Sequence, residues 1–227
     1  MNNYFERLLP IIGTEGLTKL QTSHVVLVGL GGVGGAAVEV LARSGVGKLT
    51  LIDFDIVQSS NTNRQIIALT STHNQLKTEV FKNRVQDINP KAEVILNSVK
   101  LTTDNIASVI PNDLDYLIDA IDSLDAKCAL IKYCQEKNIP FISSMGMALK
   151  TDLTQIKIIK MNQTTTDPLA RMLRNRLRSE EVSLHFWVVA STEKPREKRE
   201  GILGSYMPVT FTAGVVAADF VLKQLTK

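Results

Sequence analysis

The chain of 227 residues contains few of the side chains that most often hold metals or form disulfides. It has two cysteines, Cys128 and Cys134, and three histidines, which are scattered along the sequence. The cysteines do not form a C-x-x-C pair, so their spacing argues against a structural zinc site. So few cysteines in a chain of this length favour a reducing compartment over a disulfide-stabilised scaffold.

Long apolar runs and a strong charge of one sign are also missing. No stretch reaches the roughly 18 apolar residues of a membrane-spanning helix, and the N-terminus does not resemble a secretory signal. The formal net charge is only +3, so the chain as a whole lacks a strongly basic character. With 44% hydrophobic and 22% charged residues, it has enough apolar material for a substantial core. We therefore expect a soluble, cytoplasmic protein, while peripheral contact with a membrane stays open.

Short apolar runs alternate with helical segments along the first two thirds of the chain. We predict strands over 24–31, 48–55, 92–99, 115–122 and 139–146, with intervening helices that include one over 71–90. This alternation predicts a doubly wound, mostly parallel Rossmann-like α/β sheet. After Gly146 we predict strands over 154–161 and 183–191 and a closing helix over 209–225. We expect one domain over 1–227, with a Rossmann-like half at about 22–146, a C-terminal part at 147–227 and a mobile loop at 191–205.

A glycine-rich loop follows the first predicted strand and opens a helix. Gly29, Gly31 and Gly34 have the G-x-G-x-x-G spacing, and Gly32 lies between them. Such glycines allow a tight turn and a close approach of the backbone to a phosphate at the helix N-terminus. Asp53 ends the next strand, at the distance expected for an acid that binds ribose hydroxyls. The loop therefore predicts a bound nucleotide but does not specify a reaction.

Charged residues farther along the chain argue against hydride transfer. Arg64 and Lys77 are suited to clamp a triphosphate, and Asp122 is suited to hold Mg²⁺, which often takes one or two carboxylates plus phosphate oxygens. Taken alone, Lys77 fits a solvated helix face, and Asp122 fits a helix N-cap as well as a metal ligand. Together, the two cations and the carboxylate favour a reaction in which a phosphorus atom of the nucleotide is attacked.

These motifs resemble those of the ubiquitin-activating-type, ThiF-like adenylyltransferases. The resemblance covers about residues 7–146 and rests on GLGGVG, LIDFDIVQSSNTNRQ, the helix lysine, INP and LIDAID in that order. It implies ATP on the glycine loop, Mg²⁺ at Asp122, and a homodimer in which Arg7 reaches the partner's ATP. The catalytic residues it implies are Arg7, Arg64, Lys77 and Asp122. The nucleotide-binding residues are Gly29, Gly31, Gly32, Gly34, Asp53, Asp55, Asn61, Asn63, Arg64, Gln65, Lys77, Asp122 and Ser123.

A narrower resemblance, to the tRNA threonylcarbamoyladenosine dehydratases, extends to about residue 190. It rests on LARSGVGKLTLIDFD, SNTNRQIIAL, DAIDSLDAKCALIKYCQEKNIPFISS and TDLTQIKIIKMNQTTTDPLARMLRNRLR. It implies ATP-dependent activation of the carboxylate of N6-threonylcarbamoyladenosine at position 37 of tRNA, followed by ring closure to a hydantoin. It also leaves sulfur-transfer proteins open as partners.

Arginines cluster on one predicted helix in the C-terminal part. Arg171, Arg174 and Arg178 fall at positions i, i+3 and i+7, so they share a face. Together with the resemblance, this predicts contact with an RNA backbone. The alternative is a solvated helix face.

Three other functions stay open at this point. The first is activation of the C-terminus of a ubiquitin-like sulfur carrier, against which the missing C-x-x-C pairs count. The second is an NAD-dependent oxidoreductase, which Arg64, Lys77 and Asp122 disfavour. The third is a nucleotide-binding module without catalysis, which the intact charged positions disfavour.

Overall fold

A seven-stranded sheet with helices on both faces organises the protein. The computed structural model describes residues 4–227. The strands lie in the order β3-β2-β1-β4-β5-β7-β6, and only the β6–β7 pair is antiparallel. The predicted doubly wound, mostly parallel fold is therefore confirmed. Because the order reverses between β1 and β4, the ends of these two strands form the crevice where such sheets bind ligands.

The helices and strands have the following bounds. The strands are β1 His24–Val28, β2 Lys48–Ile52, β3 Glu93–Asn97, β4 Tyr116–Asp119, β5 Phe141–Ser144, β6 Ile156–Lys160 and β7 Trp187–Ser191. The helices are α1 Leu9–Thr22, α2 Gly32–Arg43, α3 Lys77–Ile88, α4 Ile106–Val109, α5 Leu124–Glu136, α6 Pro168–Ser179 and α7 Met207–Leu225. Among the described residues, no helix has both the length and the apolar character to cross a membrane.

The sheet separates two apolar cores. Alternate residues of β1 point to opposite faces, so Val25 and Leu27 join one core while Val26 and Val28 join the other. Residues of α1, α2, α3 and α7 cover the first face, and residues of α4, α5 and α6 cover the second. Burial on both faces explains why the central strands are continuous apolar runs.

The closing helix α7 packs closely against α2, the helix that begins at the glycine loop. A Cβ on Gly214 would overlap the carbonyl oxygen of Val33 and lie 2.7 Å from the Cβ of Ala36. Buried Ala213, Ala217 and Ala218 continue this small-residue surface. The C-terminal part therefore supports the nucleotide-loop helix directly.

Two helices differ from the sequence-based expectation, and the strands are shorter than predicted, so that β4 ends at Asp119 and β7 begins at Trp187. The helix predicted over 71–90 begins only at Lys77, because Asn74 has a positive φ of 65° and Ile56 and Leu76 form an antiparallel bridge. Helix α1 was not predicted, and it contains a kink at Gly13, whose φ is 71°. The later start of α3 places Lys77 in its first turn.

The segment after β7 is held at several points. The backbone of Arg196 donates to the Leu149 carbonyl (2.8 Å), and Leu149 in turn donates to the carbonyl of Gly204 (2.9 Å). The carboxylate of Glu193 accepts from the backbone of Thr151 and Asp152 at 2.8 to 3.0 Å. The mobility predicted for 191–205 stays a prediction.

Candidate active site

The three spaced glycines of the loop have different local environments. Gly29 has a φ of 88°, and a Cβ there would lie 2.7 Å from the Ala120 carbonyl oxygen at the end of β4. A Cβ on Gly34 would overlap the carbonyl oxygen of Gly29. On Gly31 it would meet only Gln65 Nε2, at 3.9 Å. The first and third glycines thus close the turn, and the second leaves space where a phosphate can approach the backbone.

Asp53 and Lys77 form the side of this space next to β2. The Asp53 carboxylate is buried and accepts from the backbone N–H groups of Leu30 (2.6 Å) and Asp55 (2.8 Å). The Lys77 ammonium lies 2.8 Å from Asp55 Oδ2 and 4.0 Å from Asp53 Oδ2. Lys77 is itself only 4% exposed, so it does not lie on a solvated helix face. Two carboxylates and a buried cation therefore meet at the end of β2.

The segment 61–65 also adjoins the glycine loop, at Gly31 and Gly32. Asn61 and Gln65 are buried, and the Gln65 backbone donates to the Asn61 carbonyl at 2.9 Å. Gln65 Oε1 is buried and has no hydrogen-bond partner within residues 4–227. A buried acceptor without a partner is costly, and a bound ligand that donates to it would remove this cost.

The side chains of Arg64 and Asn63, in the same segment, make hydrogen bonds to residues outside the glycine loop. Arg64 Nη1 donates to the Ser60 carbonyl (2.8 Å) and to Asn63 Oδ1 (2.9 Å). Asn63 Nδ2 donates to the Ser205 carbonyl at 2.9 Å, which ties the segment to the residues just before α7. A Cβ on Gly32 would lie 3.0 Å from the Arg64 carbonyl oxygen, so Arg64 adjoins the loop.

Asp122 lies on the turn between β4 and α5, next to the glycine loop. A Cβ on Gly29 would be 3.2 Å from the Ile121 nitrogen, so the two turns are in contact. Asp122 is exposed and makes no side-chain hydrogen bond or ion pair with the described part of the chain. The N-cap of α5 is Ser123, so the N-cap alternative for Asp122 is wrong. Its carboxylate is free to bind a ligand.

A single free carboxylate beside the glycine loop fits Mg²⁺. Residues 4–227 contain no group of three or more His, Cys, Asp or Glu side chains arranged to hold a metal by themselves. Mg²⁺ usually keeps several waters and takes one or two carboxylates plus substrate phosphates, so it does not require such a group. Asp122 is the residue that would supply the carboxylate here.

A family model described as the ThiF family matches residues 5–227. The chain belongs to the ThiF family. It is 44% identical to the tRNA threonylcarbamoyladenosine dehydratase of Bacillus subtilis over 202 residues. This match covers 89% of this chain and 80% of that protein. It is 42% identical over 170 residues to the enzyme of that name from Escherichia coli, but the match covers 75% of this chain and only 63% of that protein.

Two further similarities place this ThiF-family chain among its relatives. The crystal structure of the Escherichia coli tRNA N6-threonylcarbamoyladenosine dehydratase in complex with AMP matches 98% of this chain and 93% of that one, with a TM-score of 0.94 and 38% identity. A Haemophilus influenzae molybdopterin-synthase adenylyltransferase is 31% identical over 172 residues, which is 76% of this chain and 70% of that protein.

The N-terminal segment that contains Arg7 packs near the end of α2 opposite the glycine loop. The ring of Phe5 adjoins Gly45, which follows the C-terminal end of α2, whereas the glycine loop is at the N-terminal end. A helix of 12 residues is about 18 Å long. Arg7 is exposed, and the nearby Tyr4 and Ile11 are 55% and 78% exposed.

The arginines of α6 differ in their surroundings. Arg171 and Arg178 are exposed, without side-chain hydrogen bonds or ion pairs to residues 4–227. Arg174 is half-buried and donates to the Thr164 carbonyl at 2.6 Å and to the Thr164 hydroxyl. Burial, and next the charge of Arg178, lower the pKa of the Arg174 guanidinium. The shared face therefore has two free guanidinium groups and one that is partly engaged.

The structure also reveals site residues that sequence reasoning missed. Asp119, Lys127 and Ser143 form a buried cluster beneath the Asp122 turn. One signal was present in the sequence, because Lys127 shares a helix face with the apolar residues Leu124 and Ile131. A lysine on the buried face of a helix requires an anionic partner.

Proposed function

We propose that this chain is a tRNA threonylcarbamoyladenosine dehydratase that uses ATP. The observation that carries the proposal is the 44% identity to the Bacillus subtilis enzyme over 89% of the chain. The site supports it independently, since Gln65 and Asp53 adjoin the glycine loop and Lys77 adjoins Asp53. The identity to the molybdopterin-synthase adenylyltransferase is lower, at 31%, and both cysteines are buried in α5. Neither fact favours a sulfur carrier as the substrate.

The first step transfers AMP to the substrate carboxylate. A carboxylate oxygen attacks the α-phosphorus of ATP, the bond to the β-phosphate oxygen breaks, and pyrophosphate leaves. The negative charge that develops on the phosphates requires cations nearby, and Lys77 and Arg64 supply them. The backbone N–H groups at the start of α2, which is the positive end of the helix dipole, also stabilise this negative charge. Asp53 accepts from the ribose hydroxyls and so fixes the nucleotide's position.

Ring closure then needs no nucleophile from the protein. The neighbouring ureido nitrogen attacks the carbonyl carbon of the mixed anhydride, its proton passes to the medium, and AMP leaves with the former carboxylate oxygen. The nitrogen belongs to the same molecule, so its effective concentration is high. The sum of the two steps is loss of one water from the modified nucleoside. The protein's task is therefore to position groups and neutralise charge.

Asp122 would hold Mg²⁺ against the phosphates. A bound Mg²⁺ would offset phosphate charge and orient the leaving pyrophosphate. The free carboxylate of Asp122 next to the glycine loop supports this role.

The exposed face of α6 is proposed to contact the tRNA backbone. Arg171 and Arg178 have no anionic partner in the described chain, so they can pair with phosphates without breaking an existing ion pair. Arg174 adds charge but remains bonded to Thr164. By contrast, Arg176 is paired with Glu180 and is not part of this surface.

The active protein is proposed to be a homodimer in which Arg7 completes the partner's site. Two facts support a trans role: Phe5, two residues before Arg7, adjoins the end of α2 opposite the glycine loop, and Arg7 lies between exposed Tyr4 and Ile11 in the sequence. Large exposed apolar side chains around a free arginine are typical of a protein interface.

The decisive experiment supplies the protein with ATP, Mg²⁺ and tRNA that carries threonylcarbamoyladenosine, then digests the tRNA and weighs the nucleosides. We expect the modified nucleoside to lose the mass of one water, with AMP and pyrophosphate formed in equal amounts. The Lys77→Ala variant is the matched control and should leave the nucleoside unchanged. An unchanged nucleoside with wild-type protein, together with pyrophosphate release when a Gly-Gly-ended sulfur carrier replaces the tRNA, would reject the proposal.

A further inference from the structure

A fully buried ionic cluster lies directly beneath the turn that carries Asp122. Lys127 Nζ lies 2.7 Å from Asp119 Oδ2, and both side chains have no exposed surface. The Ser143 hydroxyl donates to the same Asp119 oxygen at 2.6 Å and accepts from Lys127 Nζ at 3.1 Å. The cluster thus joins three elements: the end of β4, the first turn of α5, and β5.

The cluster closes a short loop of which Asp122 is part. The other oxygen of Asp119 accepts from the backbone N–H of Ile121 at 3.0 Å, which fixes the turn immediately before Asp122. On the far side, the backbone of Lys127 donates to the Ser123 carbonyl at 3.0 Å in the first turn of α5. Asp119 and Lys127 therefore hold both ends of the segment that contains the exposed Asp122.

The burial of these charges indicates an indirect role. Neither Asp119 nor Lys127 has surface through which it could touch a nucleotide, so neither is a catalytic residue. A buried ion pair is an expensive way to stabilise a fold, since apolar side chains of similar size often serve as well. Unlike apolar side chains, the buried charges need hydrogen bonds in fixed directions. These hydrogen bonds hold the turn in one arrangement.

We propose that Asp119, Lys127 and Ser143 form a clasp that positions Asp122 for binding the Mg²⁺ that accompanies ATP. These three are positioning residues, and Asp122 is the residue on which they act. The inference rests on the proposed function, from which it takes the role of Asp122. Outer residues that orient metal ligands commonly contribute about 10- to 100-fold to metal affinity, so the effect should be measurable.

The test measures ATP binding by titration calorimetry across a series of Mg²⁺ concentrations. Lys127→Met keeps most of the side chain's volume and removes its charge. We expect the half-saturating Mg²⁺ concentration for enhanced ATP binding to rise on the order of tenfold, while ATP affinity without Mg²⁺ stays unchanged. Lys127→Arg should recover part of the Mg²⁺ response. The matched control is Lys150→Met, which removes an equally buried lysine from its pair with Asp167 and should leave the Mg²⁺ response unchanged.

Two further variants keep the test decisive if Lys127→Met does not fold. Ser143→Ala removes one hydrogen bond, and the double variant Asp119→Asn with Lys127→Met removes both charges together. Each should raise the half-saturating Mg²⁺ concentration. The clasp would be overturned if both variants fold and respond to Mg²⁺ as the wild-type protein does. It would also be overturned if ATP binding by the wild-type protein does not depend on Mg²⁺. Failure of the proposed tRNA reaction is a separate result, because the binding assay contains no tRNA.

Discussion

Gly31 and Gly34 are three residues apart in the same loop, but their surroundings differ. Gly34 has no room for a side chain, because a Cβ would overlap the carbonyl oxygen of Gly29. Gly31 has room for one, since the nearest atom to its Cβ position is 3.9 Å away. The fold therefore accounts for the glycine at position 34, whereas the open space at Gly31 is what the proposed approach of a nucleotide phosphate requires.

Substitution of these two glycines should separate binding from stability. Gly31→Ala places a methyl group in the phosphate space, so we expect ATP affinity to fall on the order of tenfold, or about 1.4 kcal/mol, with little change in Tm. Gly34→Ala forces the backbone apart and should cost about 1–3 kcal/mol of unfolding free energy or more. Calorimetry with ATP and urea unfolding measure the two effects. Gly204→Ala, where the Cβ would make an ordinary 3.5 Å contact, is the control. If the Gly31→Ala variant binds ATP with wild-type affinity, the ATP phosphates do not approach the backbone at this position.

Lys77 should be required for the chemical step. Lys77→Met removes the ammonium group that lies 2.8 Å from Asp55, and the charge developing on the phosphates then lacks its buried cation. Removal of one such stabilising group typically lowers kcat about 100- to 1000-fold. The rate of product formation under saturating ATP measures this loss. Lys91→Met, at an exposed position beyond α3, is the control. Similar rates in both variants would contradict the role of Lys77.

At the level of elements, ionic contacts join the helices that surround the site. Glu39 on α2 accepts from Arg84 on α3 at 2.5 and 3.0 Å and from Arg43 at 2.7 Å. Burial tends to raise the pKa of the Glu39 carboxyl, but the hydrogen bonds from Arg84 and Arg43 outweigh it, so the pKa lies below its ordinary value of 4.5. The contact links the two helices whose N-terminal turns carry the glycine loop and Lys77.

The Glu39 contact should make stability depend on acid pH. Because the folded state lowers this pKa, the contribution is complete above about pH 4.5 and is lost as the pH falls through the lowered value. We expect Glu39→Gln to lower the free energy of unfolding at pH 7 by about 1.5–3 kcal/mol, with a smaller difference from wild type near pH 3. Urea unfolding at both pH values provides the measurement. Glu79→Gln, exposed on α3, should behave like wild type, and a difference that does not depend on pH would contradict the argument.

The exposed face of α6 should affect RNA binding alone. Arg171→Glu combined with Arg178→Glu should weaken tRNA binding and reduce the slope of log K against log salt by about 2, since each phosphate contact contributes nearly one unit. ATP affinity should not change. Filter binding at several salt concentrations tests this expectation. Arg176→Glu is the control, because Arg176 faces Glu180; if both proteins bind tRNA as the wild type does, α6 is a solvated helix.

For the whole molecule, the proposed trans role of Arg7 predicts that the site depends on assembly. The N-terminal segment packs at the opposite end of α2 from the glycine loop, so a chain cannot easily supply its own Arg7 to its own nucleotide. Exposed Tyr4 and Ile11 beside it favour burial against a second copy.

Mixed dimers test this arrangement. Arg7→Ala and Lys77→Ala should each abolish turnover, because each removes a charge from every site. Subunits of the two kinds, mixed and allowed to exchange, should recover about one quarter of wild-type activity, since half of the dimers are mixed and each has one intact site. The rate as a function of mixing ratio gives the result. No recovery, with exchange verified by differently tagged subunits, would rule out the trans arginine.

Much of the fold and of the candidate site follows from local patterns. Continuous apolar strands alternating with helices require a parallel sheet, and the spacing of Gly29, Gly31 and Gly34 after a strand requires a tight turn into a helix. Asp53 and Asp122 could be assigned to strand ends because the chain order of the strands was readable. These features depend on residues close together in the sequence, which is why the sequence alone determined them.

Only the tertiary structure decided which side chains are free and which are engaged. Arg174 has the helical spacing of Arg171, yet contact with Thr164, ten residues away, partly occupies it. Lys77 has the polarity of a surface lysine, yet Asp53 and Asp55 enclose it in the first turn of a helix that begins later than its pattern predicts. Asp119 and Lys127 become a clasp only when β4, α5 and β5 pack together. In each case the decisive partner comes from a separate element, and the folded chain alone specifies that contact.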